Sequence, residues 1–322
     1  MKSLLILPRI KVKNANAISG ITYGFPAVTH FLGYAHTLSR ELEAERRRSR
    51  EFKAERELKL GGCGIVCHDF QIHAHKTEHW GDYNFSLTRN PLTEEGKSES
   101  FNEEGRIHME VSLVIECDFT SDDFDFSTDD ASQDIQKFIE LVSRLATPKR
   151  LAGGIITGMS PVKFHEIPEI ENKAWPFYPK ELNRLLPGFV LCDQSDNFKH
   201  YLSENPKINT FEALLDFYTL KSRSLTPKEK GFESDNVKWN LIPKLFRGWI
   251  VPIQVGYKAI SPLYEKGEVA CARDMNVPFR FVEAVYGLGE WVGLHRIKDI
   301  GSIIWRYHYE QDMYVCSNKT NF

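Results

Sequence analysis

RIHMEVSLVIECDF, residues 106–119, is the stretch on which the fold turns. Ile107, Met109, Val111 and Leu113 alternate with His108, Glu110 and Ser112, the period-two pattern of a half-buried strand. What makes it decisive is its predecessor. GIVCHDFQIHAH, residues 64–75, alternates in the same way, and no helical period separates the two. Between them the chain is polar and turn-rich, broken by TRNP (88–91) and EEGK (94–97). Two strands therefore follow one another directly, joined by a long protruding hairpin or flap.

Working outward, LLILPRIKV (4–12) is apolar and β-prone, and NANAISG (14–20) reads as a turn region. Phe25, Val28, Phe31, Leu32, Ala35, Leu38 and Leu42 then recur three and four apart, the spacing of an amphipathic helix, with Pro26 tolerated near its first turn. From Arg40 to Lys59 the text is almost all Glu, Arg, Lys and Ala, which predicts a solvated extension of that helix, ended by Gly61, Gly62 and Gly64. ERRRSR (45–50) is a candidate RNA contact within it. On the other side, acidic TSDDFDFSTDD (120–130) leads into a second helix, in which Ile135, Phe138, Ile139, Val142 and Leu145 share a face. KRLAGGIITG (149–158) follows as a loop and a fourth strand.

The order βαββαβ predicts an α+β chain. Residues 1–160 form a ferredoxin-like (RRM-like) domain, a four-stranded sheet backed by two helices, with a thumb-like hairpin insertion at about 76–105. Residues 161–322 read as a C-terminal mixed α/β region packing on the first. There KELNRLLPGFVL (180–191) predicts a short helix stopped by Pro187 and then a strand, and TFEALLDFYTLKS (210–222) a helix. Residues 222–240 read as a linker, GWIVPIQVGYKAIS (248–261) as one or two strands and RFVEAVYGLGEW (280–291) as a helix. SIIWRYHYEQDMYVCS (302–317) fits a helix or a closing strand.

Over 322 residues, 42% hydrophobic and 26% charged residues exclude disordered, collagen-like and coiled-coil chains. The net charge of −3 argues against nucleic acid only while it is taken whole. Residues 1–60 carry +6, residues 61–140 carry −13 and the remainder +4. Two cationic segments thus flank an acidic one that must face solvent or a basic partner. The apolar start is cut short by Pro8 and Arg9 before signal-peptide length, and no apolar run is long enough for a membrane span. Six cysteines without scaffold spacing suit reduced thiols, so a cytoplasmic chain is expected.

Catalytic signatures are missing from the sequence: it contains no GxSxG, HExxH or GxxxxGK[ST]. Cys63, Cys67, His68, His73, His75 and His79 are rich in potential ligands, but Cys63 and Cys67 would stand roughly 13 Å apart along one strand face. No metal site and no cofactor is expected. The carboxylates of SDDFDFSTDD sit in a polar loop, a poor setting for a tuned acid and base. What remains is KRLAGG, where Lys149 and Arg150 precede Gly153 and Gly154, so that cations and backbone N–H groups can approach a phosphate backbone together. Arg89 and Arg106 lie in or beside the flap.

NANAIS (14–19), GFP (24–26), FLGYAH (31–36), SLTRNPL (86–92) and EEGRIHMEVSL (103–113) carry a family resemblance, continued by RLAGG (150–154), RLLPGF (184–189), GWIVPIQVGYKAISPLY (248–264) and RFVEAVYGLGEWVGLHR (280–296). In this order they resemble the second-subunit family of type I-F CRISPR (Csy) surveillance complexes, part of the Cas-five group of repeat-associated RRM-like proteins. The resemblance spans nearly the whole chain. It implies a non-catalytic, crRNA-binding subunit in antiviral defence that holds the 5′ handle. The implied partners are the large, Cas-eight-like Csy subunit and a Cas-seven-like backbone subunit, with target DNA reached only through the complex. It further implies that the flap is the family's thumb and RLAGG its glycine-rich loop, and that Asn14 and Asn16 meet base edges or sugars. Arg89 and Arg106 would then act on the thumb, and Lys149, Arg150, Gly153 and Gly154 at the RNA backbone.

Two features depart from the pattern: the long charged run from Glu41 to Lys59, and the acid around the thumb (Glu94, Glu95, Glu103, Glu104), which points the thumb toward protein more than RNA. A rival reading is a repeat-RNA endoribonuclease of the same superfamily, using His36, His68 or His108, and a third is an adaptor that touches only protein.

Overall fold

The computed structural model describes residues 2–78, 81–88, 92–98, 102–126, 128, 130–167, 180–224, 239–244 and 246–318. The fold is α+β, built on one large antiparallel sheet. β1 (Ser3–Asn16) is followed by α1 (Val28–Arg48), β2 (Leu60–Ile72), β3 (Arg106–Cys117), α2 (Ala131–Ala146) and β4 (Gly154–Gly158). These strands lie in the order β4-β1-β3-β2, with every neighbour antiparallel.

Alternation along the strands makes the layers. Leu5, Leu7, Ile10 and Val12 of β1 and Ile107, Met109, Val111 and Leu113 of β3 join one core, together with Phe31 and Leu38 of α1 and Phe138 and Val142 of α2. Each such fully buried side chain contributes on the order of 1.5–3 kcal/mol. Leu4, Ile6, Val66 and Val114 belong to a second core on the opposite face, covered by Leu182, Leu185, Leu294, Ile300 and Ile303. Among the described residues that cover reaches only the end of the sheet where β5 (Lys163–Glu166) runs beside Ser3–Ile6. Toward the other end of β1, Lys11, Lys13 and Asn14 are exposed.

The later strands extend this sheet. They are β6 (Phe189–Asp193), β7 (Trp249–Ala259), β8 (Val282–Gly293), β9 (Ile304–Glu310) and β10 (Met313–Ser317), with the helices Ser195–Glu204 and Thr210–Tyr218 between β6 and β7. The order β2-β6-β8-β7-β10-β9 returns on itself, because β9 also pairs with β2. Phe189 and Val190 lie against Cys67 and Val66, while Ile304 and Trp305 lie against Gly64 and Cys63. The curl is pinned from inside by Trp305, whose indole N–H donates to the Leu191 carbonyl at 2.9 Å. At the seam, a side chain at Gly62 would stand 2.6 Å from the Trp305 carbonyl oxygen, so the strands close only around glycine.

Two sequence expectations change, and a third, left between helix and strand, resolves to strand. The stretch read as a helix at 280–291 is strand β8, because both of its edges are paired, one with β7 and one with β6. Tertiary pairing overrides a weak helical spacing that already contained Gly287 and Gly289, poor helix formers. Of residues 302–317, Ile304–Glu310 and Met313–Ser317 form β9 and β10, turned at Gln311 with φ 52°. α1 ends at Arg48 rather than running to Lys59. Ser49 Oγ accepts the N–H groups of Glu51 and Phe52, and Phe52 and Leu58 are drawn into the core. Arg56 then ties this segment to Asp118 and Asp123, and its guanidinium holds the Asp123 carboxyl down at about 2. Between β2 and β3, Ala74–Lys76 pairs with Tyr83–Phe85 and Leu87–Thr88 with Asn102–Glu103, in two small ladders outside the main sheet. Among the described residues no helix is long and apolar enough to cross a membrane.

Candidate nucleic-acid interface

β1 meets β3 through two bulges, between Leu7 and Ile10 and between Val12 and Ala15. Both contain a residue in the left-handed region, Arg9 at φ 54° and Asn14 at φ 57°. Each of these residues donates its N–H to a side chain of β3. Arg9 N–H reaches Ser112 Oγ at 2.9 Å and Asn14 N–H reaches His108 Nδ1 at 3.1 Å. Asparagine adopts this conformation at low cost. Such bulges bend the strand and re-aim the side chains around them.

The face they serve is the one that, among the described residues, has no cover. Lys13 stands opposite Ile155, and Ile155 stands opposite Arg150, so the three share one side of the sheet. Val12, Leu151 and Ile156 face the helix-covered core instead. Ile155 is 55% exposed in the middle of this cationic row. Lys11, one step along β1, faces Glu110 across the strands, but Glu110 is held by Arg9 at 3.1 Å. Among the described residues, the side chains of Lys11, Lys13 and Arg150 have no ion pair or hydrogen bond.

A two-residue turn lays Arg150 on this face. Ala152 at φ 51° and Gly153 at φ 77° supply the two positive angles of a type I′ hairpin between Arg150–Leu151 and β4. The Ala152 carbonyl accepts the Asn16 N–H at 2.9 Å, locking the turn against β1. A side chain at Gly154 would stand 2.7 Å from Val12 Cγ1 and 2.8 Å from the Ala15 nitrogen.

Asn14, Asn16, Arg106, Arg150, Gly153 and Gly154 thus meet at one end of the sheet. Asn16 is committed to its own turn, donating to the Ile18 carbonyl at 2.8 Å and accepting the Ile18 N–H at 3.1 Å. Arg106 pairs with Glu104 at 2.7 Å beside the Asn14 carbonyl. Lys149 points the other way: its side chain is 13% exposed and bound to Glu41 of α1 at 3.1 Å. Arg89 lies outside the described residues. Lys11 and Lys13 escaped the sequence reading, although the alternating lysines of RIKVK, directly before NAN, were the available signal.

The histidines of the rival reading stand apart. His36 is on the solvent side of α1. His68 lies between Ser112 Oγ at 2.6 Å and the Pro187 carbonyl at 2.8 Å, and burial holds it below the usual histidine range. His108, whose Nδ1 takes the Asn14 N–H, is edge-on to His73 with ring centres 4.1 Å apart. Burial, with the neighbouring His108 adding to it, keeps His73 below its usual range. Among the described residues no three His, Cys, Asp or Glu side chains are grouped to hold a metal ion.

Comparison with known proteins agrees with the motif pattern. Residues 5–316 match the model of the family described as CRISPR-associated protein (Cas_Csy2). The chain is also 34% identical over 325 residues to CRISPR-associated protein Csy2 of Pseudomonas aeruginosa (strain UCBPP-PA14), an alignment covering 97% of this chain and 93% of that protein. With its order of motifs and its near-complete match to the family model, the chain belongs to the CRISPR-associated Csy2 family.

Proposed function

We propose that this chain is a non-catalytic, RNA-binding subunit of a type I-F CRISPR (Csy) surveillance complex, holding the 5′ handle of the crRNA on the uncovered end of its sheet. The observation that carries the reading is the row Lys13, Ile155 and Arg150, with Lys11 beside it: unpaired cations around an exposed apolar side chain on an open sheet face. A single-stranded RNA lays its phosphates on such cations and its bases on the apolar surface between them. The order β4-β1-β3-β2, with both helices on one side, supports an RRM-like reading of the first half, in which the same face of the sheet meets RNA.

On this reading Lys149 serves to anchor the hairpin to α1, while Asn14 presents its side chain at the bulge. The ladders between β2 and β3 are the thumb. The large Csy subunit and a Cas-seven-like backbone subunit are the protein partners, and target DNA is reached only through them. Five buried free cysteines suit a reducing, cytoplasmic setting. The test is binding of repeat-derived handle RNA by the purified chain, alone and co-expressed with the other subunits. Retention of intact RNA, weakened by Lys13→Ala and Arg150→Ala, is expected. Equal retention by those variants, or metal-independent cleavage of the RNA, would refute the reading.

A further inference from the structure

The helix-covered side of the sheet has its own opening, away from the basic row. Beyond the first turn of α1, the segment 19–27, the end of β2 and strands β6 to β8 enclose a cleft of about 330 Å³. That is near the lower end of the range for small-molecule sites, about 300–1,000 Å³. Its mouth is ringed by Phe70, Phe189 and Trp249, all about half exposed, with Phe189 and Trp249 edge-on at 5.8 Å. Phe25 and Trp291 meet deeper in, edge-on at 4.9 Å. Three half-exposed aromatic rings around one opening give it an apolar rim.

The polar groups decide what the cleft would take. Gln254 lines it at 5% exposure, and its amide makes one long bond, Nε2 to the Gly256 carbonyl at 3.4 Å. Ser19 lines it at 3% exposure, and its Oγ is buried with no partner. A buried polar atom without a partner, as Ser19 Oγ is, is costly unless a ligand completes it. A glutamine amide is matched by the adjacent donor and acceptor of adenine, N6 and N7, and aromatic rings stack on a base. Outside the mouth, Arg247 is exposed two residues before Trp249.

We propose that this cleft receives one unstacked adenine of a bound single-stranded RNA, stacked among Phe70, Phe189 and Trp249 and read on its edge by the Gln254 amide. The inference rests on the RNA-binding reading but concerns a different part of the surface. One loop, from Ala17 to Gly24, joins the basic row after Asn16 to the wall of the cleft, so one strand can serve both.

The test uses the full chain and two probes, short oligoadenylate against oligouridylate, and adenosine against uridine read by tryptophan fluorescence. Oligoadenylate is expected to bind about ten-fold more tightly than oligouridylate, within the discrimination of one bidentate contact. Adenosine is expected to quench tryptophan saturably where uridine does not. Gln254→Glu should abolish the preference for adenine and Trp249→Ala should reduce it, whereas Lys13→Ala should weaken both RNAs alike and leave their ratio unchanged. RNA binding without any preference, or a preference untouched by both cleft variants, overturns the cleft proposal and leaves the basic row standing. Adenosine quenching without RNA binding overturns the RNA reading and the strand part of this proposal. If Trp249→Ala instead breaks association with the other subunits and no adenine preference exists, the cleft is a protein contact and the proposal falls.

Discussion

Lys149 and Arg150 are neighbours in sequence, yet the hairpin sends them to opposite sides of the sheet, and that difference can be measured. Arg150, Lys11 and Lys13 are solvated and unpaired on the open face, whereas Lys149 is already neutralised by Glu41. For single-stranded RNA each neutralised phosphate contributes about 0.7 to the slope of log K against log salt. Removing all three open-face cations should therefore flatten the slope by about 2, a loss of roughly a hundred-fold in affinity at about 0.1 M salt that fades toward 1 M. Each single alanine variant should account for about a third of the effect. Lys149→Ala should leave the slope unchanged. Filter binding of handle RNA over a salt series reads the quantity directly, with a thermal melt of each variant to establish folding. Exposed side chains of this kind change stability by no more than about 0.5 kcal/mol. An unchanged slope in the triple variant, or an equal loss in Lys149→Ala, refutes the assignment of this face.

Further outcomes follow from the packing. Gly256→Ala puts a methyl group into the Tyr314 carbonyl oxygen where β7 meets β10, so the C-terminal strands should part and the melting temperature drop, an effect read by calorimetry. Ser112→Ala removes the acceptor for Arg9 N–H and the partner of His68, and should cost about 1–3 kcal/mol in a urea titration. His68 is held below the free value of 6.5, chiefly by burial, so the folded state disfavours its protonation. Stability from this group is complete above 6.5 and falls as pH drops below it toward the folded value, so the melting temperature should fall between neutral and mildly acid buffer, less steeply in His68→Gln.

The elements that could be read from the sequence were those whose signal is local. The alternation of Ile107 to Leu113 and the three-and-four spacing of Phe31, Ala35 and Leu38 reflect one face of one element, and those faces are the ones that pack. The failures arose where the decisive partner is distant. Val282–Gly293 is a strand because β6 and β7 occupy its edges, and no window around it contains either. Phe52 and Leu58 leave the helical line because Arg56 finds Asp118 and Asp123 some sixty residues on. At the site the glycines and asparagines were visible as turn residues. Lys11 and Lys13 became candidates only once the register showed which side of β1 lacks a cover, since the same alternation would suit a strand solvated on one face for no purpose.

Net charge teaches the same lesson at larger scale. The acidic stretch from residue 61 to 140 spends much of its charge inside the molecule. Glu110 binds Arg9, Glu116 binds Arg306 at 2.6 Å, Asp118 and Asp123 share Arg56, and Asp130 caps the first turn of α2. A carboxylate and a guanidinium about 3 Å apart act at a distance as a dipole, and beyond a Debye length of about 10 Å little of either charge is felt. The field that an approaching phosphate meets is therefore set by the cations left over. Lys11, Lys13 and Arg150 are left over together, and Glu110, which faces Lys11 across the strands, is already paired with Arg9. An overall charge of −3 is consequently compatible with a strongly cationic strip, and replacing Glu110 by Gln, which leaves the charge of Arg9 uncompensated while its bond to the Leu186 carbonyl stays, should tighten RNA binding and steepen its salt dependence.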